Sequence, residues 1–408
     1  MRIVHVFRGF HDYLSELVNS EAESSEVHAL VSQRDVPILA DLKASVHVHR
    51  TEMPPARSPL NAVRLPRLWS LIREIDPDIV HMQSGLMWEY GLILPRRPFP
   101  IILTVHDIVN HPVWGLMPRH TPEFFTARAT RSVDAVIVHG DSLRELALKR
   151  FEQNEGPSRV YSVDHGVISR FGIGSARSTV PPGSGNVLFF GYLQKNKGLE
   201  YLVAAEAILR RVVPNLSMVV AGAASHQAYY RGLIGSSTGI SLRLGYQNRE
   251  SVGQLFRWAD VVVLPYIEAS QSGVFQIATA FGVPSVATRV GGFPDVIRHR
   301  LNGLLVPPRD PLALAAAIRE LLNDAALRAR IIGNLQSDRE DRFSWSRIAS
   351  QTLGIYRQVI ARFQVESQKA GNSSTLPTHV PADVPALLRS SSPSHKNEES
   401  ASRHSSGS

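Results

Sequence analysis

The sequence predicts two Rossmann-like α/β domains facing a central cleft, followed by a disordered C-terminal tail. Short apolar runs alternate with helical patterns from Ile3 to Phe363, a Pro- and Gly-rich segment interrupts them near the middle, and Ser, Pro, His and charge replace them towards the end. Strand and helix in alternation favour a parallel sheet with crossover helices. A length of 408 residues exceeds one ordinary domain and suits two. The expected divisions are a first domain over 1–180, a second over 186–345, a closing helix over 346–365 and a disordered tail over 366–408.

Taken in order, Ile3 to Phe7, Val46 to Val48, Ile79 to Met82, Ile101 to Val105 and Ala135 to Val138 read as strands of the first domain, being short and apolar. The opening MRIVHVFRGFHDY reads as a short buried strand and a loop, without the character of a signal peptide. Leu60 to Ile75 and Ser142 to Phe151 read as helices; Leu68, Leu71, Ile72 and Ile75 recur at the spacing of one buried face. Between them, Asp76-Pro77-Asp78 reads as a turn that starts a strand, at the wrong end of the sheet for a metal-holding acid pair. Val180 to Gly185, VPPGSG, then breaks all periodicity and predicts the boundary.

The second domain repeats the pattern, with strands at Val187 to Phe190, Leu216 to Ala221, Ser241 to Leu244, Val261 to Leu264 and Ser285 to Ala287. Its most informative stretch runs from Glu268 to Pro308. After strand Val261 to Leu264 the chain turns through Ser270 to Gly273 into a helical run, Val274 to Phe281. A helix beginning just past the carboxyl end of a parallel strand presents unpaired N–H groups, and Gly273 lets a ligand approach them. Ser272, Gly273 and Val274 therefore suit a phosphate or a sugar hydroxyl, with Glu268 and Gln276 flanking them as hydroxyl acceptors. The next strand ends at Gly291-Gly292 with Asp295 behind it. Trp345 to Phe363 reads as a last amphipathic helix, and beyond about residue 366 the chain buries too little surface to repay its ordering entropy.

This stretch resembles the retaining group 1, or family four, glycosyltransferases of the GT-B fold, whose motif is two glutamates separated by seven residues and then GG-x-x-E. Glu268, Gln276 and Asp295 occupy those places. The resemblance extends to VLFFGYLQKNKGLEYLVAA, where the family carries G-R-L-x-x-x-K-G: Gly191, Lys197 and Gly198 match, and Tyr192 stands at the arginine position. It also takes in IILTVHD, the strand carrying the family's first-domain histidine, here His106. It implies a nucleotide sugar on the second domain, an acceptor on the first, and a last helix that crosses back to the first. Lys197 and Gly191 would then meet the donor diphosphate, with Lys195 a weaker substitute. Gln276 would meet the ribose hydroxyls, His106 a donor sugar hydroxyl, and Glu268 the sugar near the developing positive charge.

The chemistry has physical grounds. Breaking the anomeric C–O bond puts negative charge on the leaving diphosphate and positive charge on the ring, so cations and N–H dipoles must meet the phosphates. His106 ends a strand where ligands bind in open α/β sheets, with Asp107 or a backbone carbonyl to set its tautomer. His81 holds a similar place, while His47 and His49 read as solvated or packed.

With 0 Cys there is no disulfide framework or thiolate site, which fits a reducing cytoplasm. No apolar run approaches the roughly 18 residues that span a bilayer, so the protein reads as soluble. H-E-x-x-H, calcium-loop and G-x-x-x-x-G-K-[ST] patterns are absent, and the arginines form no nucleic-acid platform. A nucleotide-sugar donor, no protein-bound metal and no nucleic-acid partner are the expectations. The net charge of +8 suits anionic partners. Arg64, Arg67, Trp69, Arg96, Arg97, Trp114, Phe124 and Phe125 are the residues with which an anionic membrane bearing a lipid-linked acceptor could be touched. An inactive nucleotide-sugar binder and a nucleotide-sugar epimerase are the alternatives; turnover with and without an acceptor separates the three.

Overall fold

The computed structural model describes residues 1–7, 9–32, 39–52, 60–83, 97–106, 133–153, 159–172, 185–235 and 239–373. The chain divides into one compact unit, Met1–Val365, and a second, Glu366–Ser408. The first unit holds two parallel sheets. One consists of β1 (Arg2–Val6), β2 (Glu26–Ser32), β3 (Val46–Thr51), β4 (Ile79–Gln83), β5 (Ile101–Thr104), β6 (Ala135–Val138) and β7 (Val160–Ser162), in the order β3-β2-β1-β4-β5-β6-β7. The other consists of β8 (Asn186–Phe190), β9 (Ser217–Gly222), β10 (Ile240–Leu244), β11 (Val261–Leu264), β12 (Ser285–Thr288) and β13 (Leu304–Val306), in the order β10-β9-β8-β11-β12-β13. Each is a doubly wound Rossmann-like sheet. The strand order reverses between β1 and β4 and again between β8 and β11, and such reversals open a crevice at the carboxyl ends.

The helices of the first half are α1 (His11–Glu21), α2 (Asn61–Ile75) and α3 (Asp141–Gln153). Those of the second are α4 (Leu199–Leu209), α5 (Gln227–Ile234), α6 (Arg249–Trp258), α7 (Gly273–Phe281), α8 (Phe293–Val296), α9 (Pro311–Asn323) and α10 (Ala325–Glu340), and α11 (Trp345–Ser373) closes the chain. Val261 to Leu264 are completely buried, as strands covered on both faces must be, which is why they read as an unbroken apolar run. Ile348, Ala349, Leu353, Tyr356 and Val359 of α11 pack into the core that holds Ile3, Leu14 and Val27, so the last helix returns to the first domain. Burying a large apolar side chain is worth roughly 1.5–3 kcal/mol, so these contacts fasten the helix firmly.

Several elements escape the sequence pattern. β7 and β13 span three residues each, too few to show a period. The expected loop after β1 is in fact the start of α1, which follows directly on Phe10 in a left-handed conformation at φ 53. The chain enters the second half's core at Val167 and Ile168, before the expected boundary at Val180; residues 180–184 lie outside those described. Helix α11 runs on to Ser373, taking in residues assigned to the tail.

The basic and aromatic set in the first half is corrected in part. Trp69 is 3% exposed and belongs to the core with Leu68, Ile72 and Ile75, because α2 turns that face inwards. Arg64 pairs with Glu52 at 2.7 Å, while Arg97 pairs with Asp134 at 2.7 Å and lies over the Phe363 ring. Arg96, Trp114, Phe124 and Phe125 lie outside the described residues. Among the described residues, no helix is long and apolar enough to cross a membrane.

Candidate active site

The loop after β8 is laid against the end of β11 by its main chain. Gly191 donates its N–H to the carbonyl of Ala221 at 3.0 Å, and a Cβ at Gly191 would lie 3.4 Å from Val274 Cγ2, so this turn packs on the start of α7. Lys195–Lys197 form a single tight turn, closed by Gly198 at φ 63. A side chain there would put its Cβ 2.1 Å from the Pro265 carbonyl oxygen, so glycine alone permits the approach. Asn196 fastens the two loops together: its carbonyl accepts from Ile267 N at 2.8 Å, and its side-chain amide donates to the Glu268 carbonyl at 3.4 Å.

That approach places Lys197. Its Nζ stands 3.8 Å from the centroid of the Tyr266 ring, and the Tyr266 hydroxyl lies 3.3 Å from Ser272 Oγ. The ammonium is thus held by a cation–π contact beside the head of α7, where Ser272 is the N-cap and makes no side-chain cap bond. The first N–H groups of a helix have no partner within it, so a cation and oriented dipoles meet at one place.

A cavity of about 330 Å³ opens in front of them, within the range of small-molecule sites. Asn196, Lys197, Ser270 and Gly273 line it from the second half; Phe10, Tyr13, His106 and His165 line it from the first. The two acceptors expected to flank α7 are separated. Glu268 is exposed and outside this lining, although its neighbours Ala269 and Ser270 belong to it. Gln276 is 2% exposed and lines an adjoining void of about 10 Å³ with Ser272, His139, Gly292 and Phe293. Its Oε1 is buried with no protein partner, and the void has room for about one water.

Asp295 reaches across to the first half instead of into the cavity. Its Oδ2 accepts from Ser142 N at 3.0 Å and its Oδ1 from Ser142 Oγ at 2.7 Å, which caps α3. Its carbonyl accepts from Arg342, whose guanidinium also grips Asp164 through bonds of 2.8 and 2.9 Å. A second bridge joins Arg249 of α6 to Asp41. Tyr192, at the position the resemblance gives to arginine, is 46% exposed and bonds through its hydroxyl to Ser225, outside the cavity lining.

His106 is 2% exposed at the end of β5 and heads a buried polar chain. Its Nδ1 lies 3.2 Å from His139 Nε2, and its Nε2 lies 3.0 Å from Gln83 Oε1. Gln83 continues to His81, whose Nδ1 lies 2.5 Å from the Tyr356 hydroxyl, which donates to Glu21 at 3.0 Å. His139 Nδ1 donates to the Val163 carbonyl at 3.0 Å. Gln83 and His139 thus hold the ring; Asp107, the expected partner, lies outside the described residues. Glu21 and the Val163 carbonyl at the two ends only accept, so a wholly neutral chain between them is one proton short, and one link goes unmade unless a further proton is taken up.

Burial holds the His106 imidazole well below its usual range, with His139, His165 and His81 adding to the effect. Burial likewise lowers His139 to about 4, and burial followed by His139 lowers His165 to about 3. The cavity therefore meets neutral rings at physiological pH. His81, expected at a strand end, sits inside β4 against α11 and serves the core. Sequence reasoning missed Phe10, stacked on His106 at 3.8 Å, as well as Tyr13, Gln83, His139 and Tyr266. Gly9 and the strand-to-helix junction beside it were the available signal for Phe10; nothing local marks the others.

Comparison with known proteins agrees with this geometry. A family described as Glycosyl transferases group 1 matches residues 184–324, and one described as Glycosyltransferase Family 4 matches residues 12–167. An uncharacterised glycosyltransferase of Methanocaldococcus jannaschii is 34% identical over 175 residues, which span 42% of this chain and 44% of that protein. A D-inositol 3-phosphate glycosyltransferase of Salinispora tropica is 25% identical over 86% of this chain and 81% of its own. Among solved structures, sucrose-phosphate synthase from Thermosynechococcus elongatus superposes with a TM-score of 0.69 at 20% identity, covering 89% of this chain and 100% of that one. HepE from Anabaena, in complex with UDP and glucose, superposes with a TM-score of 0.65 at 18% identity, covering 88% and 100%. With both halves matched and two Rossmann-like sheets facing one cavity, the chain belongs to the group 1 glycosyltransferases, transferase enzymes of the GT-B fold.

Proposed function

We propose that this enzyme moves a glycosyl group from a nucleoside diphosphate sugar to a hydroxyl acceptor with retention of anomeric configuration, in polysaccharide or glycoconjugate assembly, without a metal held by the protein at the transfer site. The observation that carries the reading is Lys197, held over Tyr266 beside the head of α7 and facing the His106 side of the same cavity. Lys197 and the N–H groups of Ser272, Gly273 and Val274 take the charge that grows on the diphosphate. His106, kept neutral by burial, adds no positive charge beside a ring that is becoming cationic, and its Nε2, which in the neutral chain meets the acceptor oxygen of Gln83 without a proton between them, accepts from a donor sugar hydroxyl. Glu268, in the loop between β11 and α7 and next in the chain to the lining residues Ala269 and Ser270, supplies the opposing negative charge from the rim of the cavity. Retention follows if the acceptor attacks the face from which the diphosphate leaves, its proton passing to a leaving phosphate oxygen. UDP and glucose bound by HepE support a nucleoside diphosphate sugar as donor.

A second reading, a binder that performs no transfer, draws on Gln276 sealed in its void and on Tyr192 engaged with Ser225. One experiment tests both. Nucleoside diphosphate sugars are screened by thermal shift, and bound donors are then incubated with glycan, lipid-linked and small-molecule hydroxyl acceptors, the product linkage being assigned by NMR. Acceptor-dependent product with the donor's anomeric configuration is expected. An inverted linkage overturns retention, donor binding without product favours the binder, and no binding of any nucleotide sugar overturns the proposal.

A further inference from the structure

At the opposite end of the first sheet from the cleft, Glu26, His28, His47 and His49 meet on neighbouring strands. Glu26 and His28 open β2, and the parallel register sets His28 beside His47 and Leu30 beside His49 on β3, the edge strand. Side chains two apart on a strand share a face, so all four project to the same side. One ligand atom from each of Glu26, His28 and His47 falls within 4.8 Å of the others. His28 Nε2 lies 3.0 Å from Glu26 Oε1, close to the roughly 3.3 Å that separates two ligands of a tetrahedral ion with bonds near 2.0 Å. His28 Nδ1 lies 2.9 Å from His49 Nε2, and the His28 ring stacks on those of His47 and His49 at 4.8 and 5.2 Å.

We propose that Glu26, His28 and His47 form a site for a zinc-class divalent ion that clamps β2 to the edge strand, with His49 orienting His28 from behind. Two imidazoles and one carboxylate with an open fourth position suit zinc and its neighbours and give a poor site for magnesium, which demands oxygen ligands. His28 binds through Nε2, and its Nδ1–H donates to His49, the outer hydrogen bond that metal-bound histidines usually make. Arg2 Nε also shares Glu26 Oε1 at 3.0 Å, and on releasing it keeps the carbonyls of Ile75 and Asp76 as acceptors. The site stands apart from the transfer chemistry, at the amino ends of its strands.

The test uses the full-length chain without an affinity tag, stripped with a chelator and titrated with zinc chloride or magnesium chloride in a calorimeter. A thermal melt is run at each endpoint, and cobalt is substituted to read coordination from its visible spectrum. Zinc is expected to bind at one equivalent and raise the melting temperature, magnesium to do neither, and bound cobalt to show the strong bands of a four-coordinate ion. His47→Ala, at an exposed position, should melt like the wild type without metal and bind zinc at least roughly tenfold more weakly. His28→Ala with His47→Ala should lose the zinc shift altogether. Zinc binding by the double variant equal to wild type, or no zinc binding by wild type, overturns the site.

Discussion

The second half of the molecule meets the cleft with main-chain dipoles and one ammonium, at the head of α7 and at Lys197; the first half meets it with neutral imidazoles and aromatic rings, at His106, His165, Tyr13 and Phe10, and with the carboxylate of Asp12, which pairs with Arg170. The difference matches the two ends of a nucleotide sugar. A diphosphate is charged before and after bond cleavage, so permanent positive potential serves it throughout. The sugar becomes cationic only in the transition state, where a buried, uncharged ring that can hydrogen-bond does less harm than an imidazolium. Depth follows the same logic, since the histidines are almost wholly buried whereas Lys195–Lys197 have no buried member.

The sharpest way to break this comparison is Lys197→Ala. The fall in kcat/KM is expected to be on the order of a thousandfold, about 4 kcal/mol, with weakened binding of the bare nucleoside diphosphate. His106→Ala should lower kcat and leave that binding intact. If calorimetry shows the histidine variant losing diphosphate affinity as severely as the lysine variant, the division of labour between the halves is wrong.

Glu268→Gln comes next, with kcat expected to fall roughly a hundredfold, about 2.7 kcal/mol, and donor affinity nearly unchanged, because the carboxylate acts where ring charge develops. Wild-type turnover from this variant removes Glu268 from the mechanism.

The buried rings also predict how stability follows pH. The folded pKa values of His81, His106, His139 and His165 lie below the unfolded value near 6.5, so the unfolded chain binds more protons in acid. The stability they hold is fully present above about pH 6.5 and is lost as pH falls towards the folded values, about 4 for His139 and about 3 for His165. Chemical denaturation between pH 7 and pH 5 should show a steep loss, and His165→Gln should flatten it. A slope unaltered by that substitution contradicts the burial argument.

The smallest effect is expected at Asp295→Asn. Weakening the cap on α3 should cost about 1 kcal/mol in unfolding free energy while diphosphate affinity stays at the wild-type level. A change in donor affinity larger than the change in stability would return Asp295 to the donor site.

The halves also differ in how much of each could be read without coordinates. Val261 to Leu264 is an apolar run closed by a small-residue turn, and local chemistry of that kind announces a strand and a helix start together. Lys197 was legible for the same reason, since the turn and Gly198 that place it are its own neighbours in the chain. Gln83, His139 and Tyr356 carry no local mark. Tyr356 is 275 residues from the His81 ring it touches, and only the return of α11 onto the first domain brings them together.

From sequence alone came the doubly wound class of both halves and, as lining of the cavity, the lysine, the helix head and the histidine at the end of β5, because periodicity and turn chemistry are properties of short segments. Tertiary structure alone decided that Glu268 is exposed beside the cavity lining and not part of it, that Gln276 lines a separate small void with Gly292 and Phe293, and that Asp295 caps α3 of the opposite half. It also decided that four side chains at the far sheet edge share one face across β2 and β3. Each of these depends on which other segment packs against the residue, and pairings between separate elements leave no trace in local pattern.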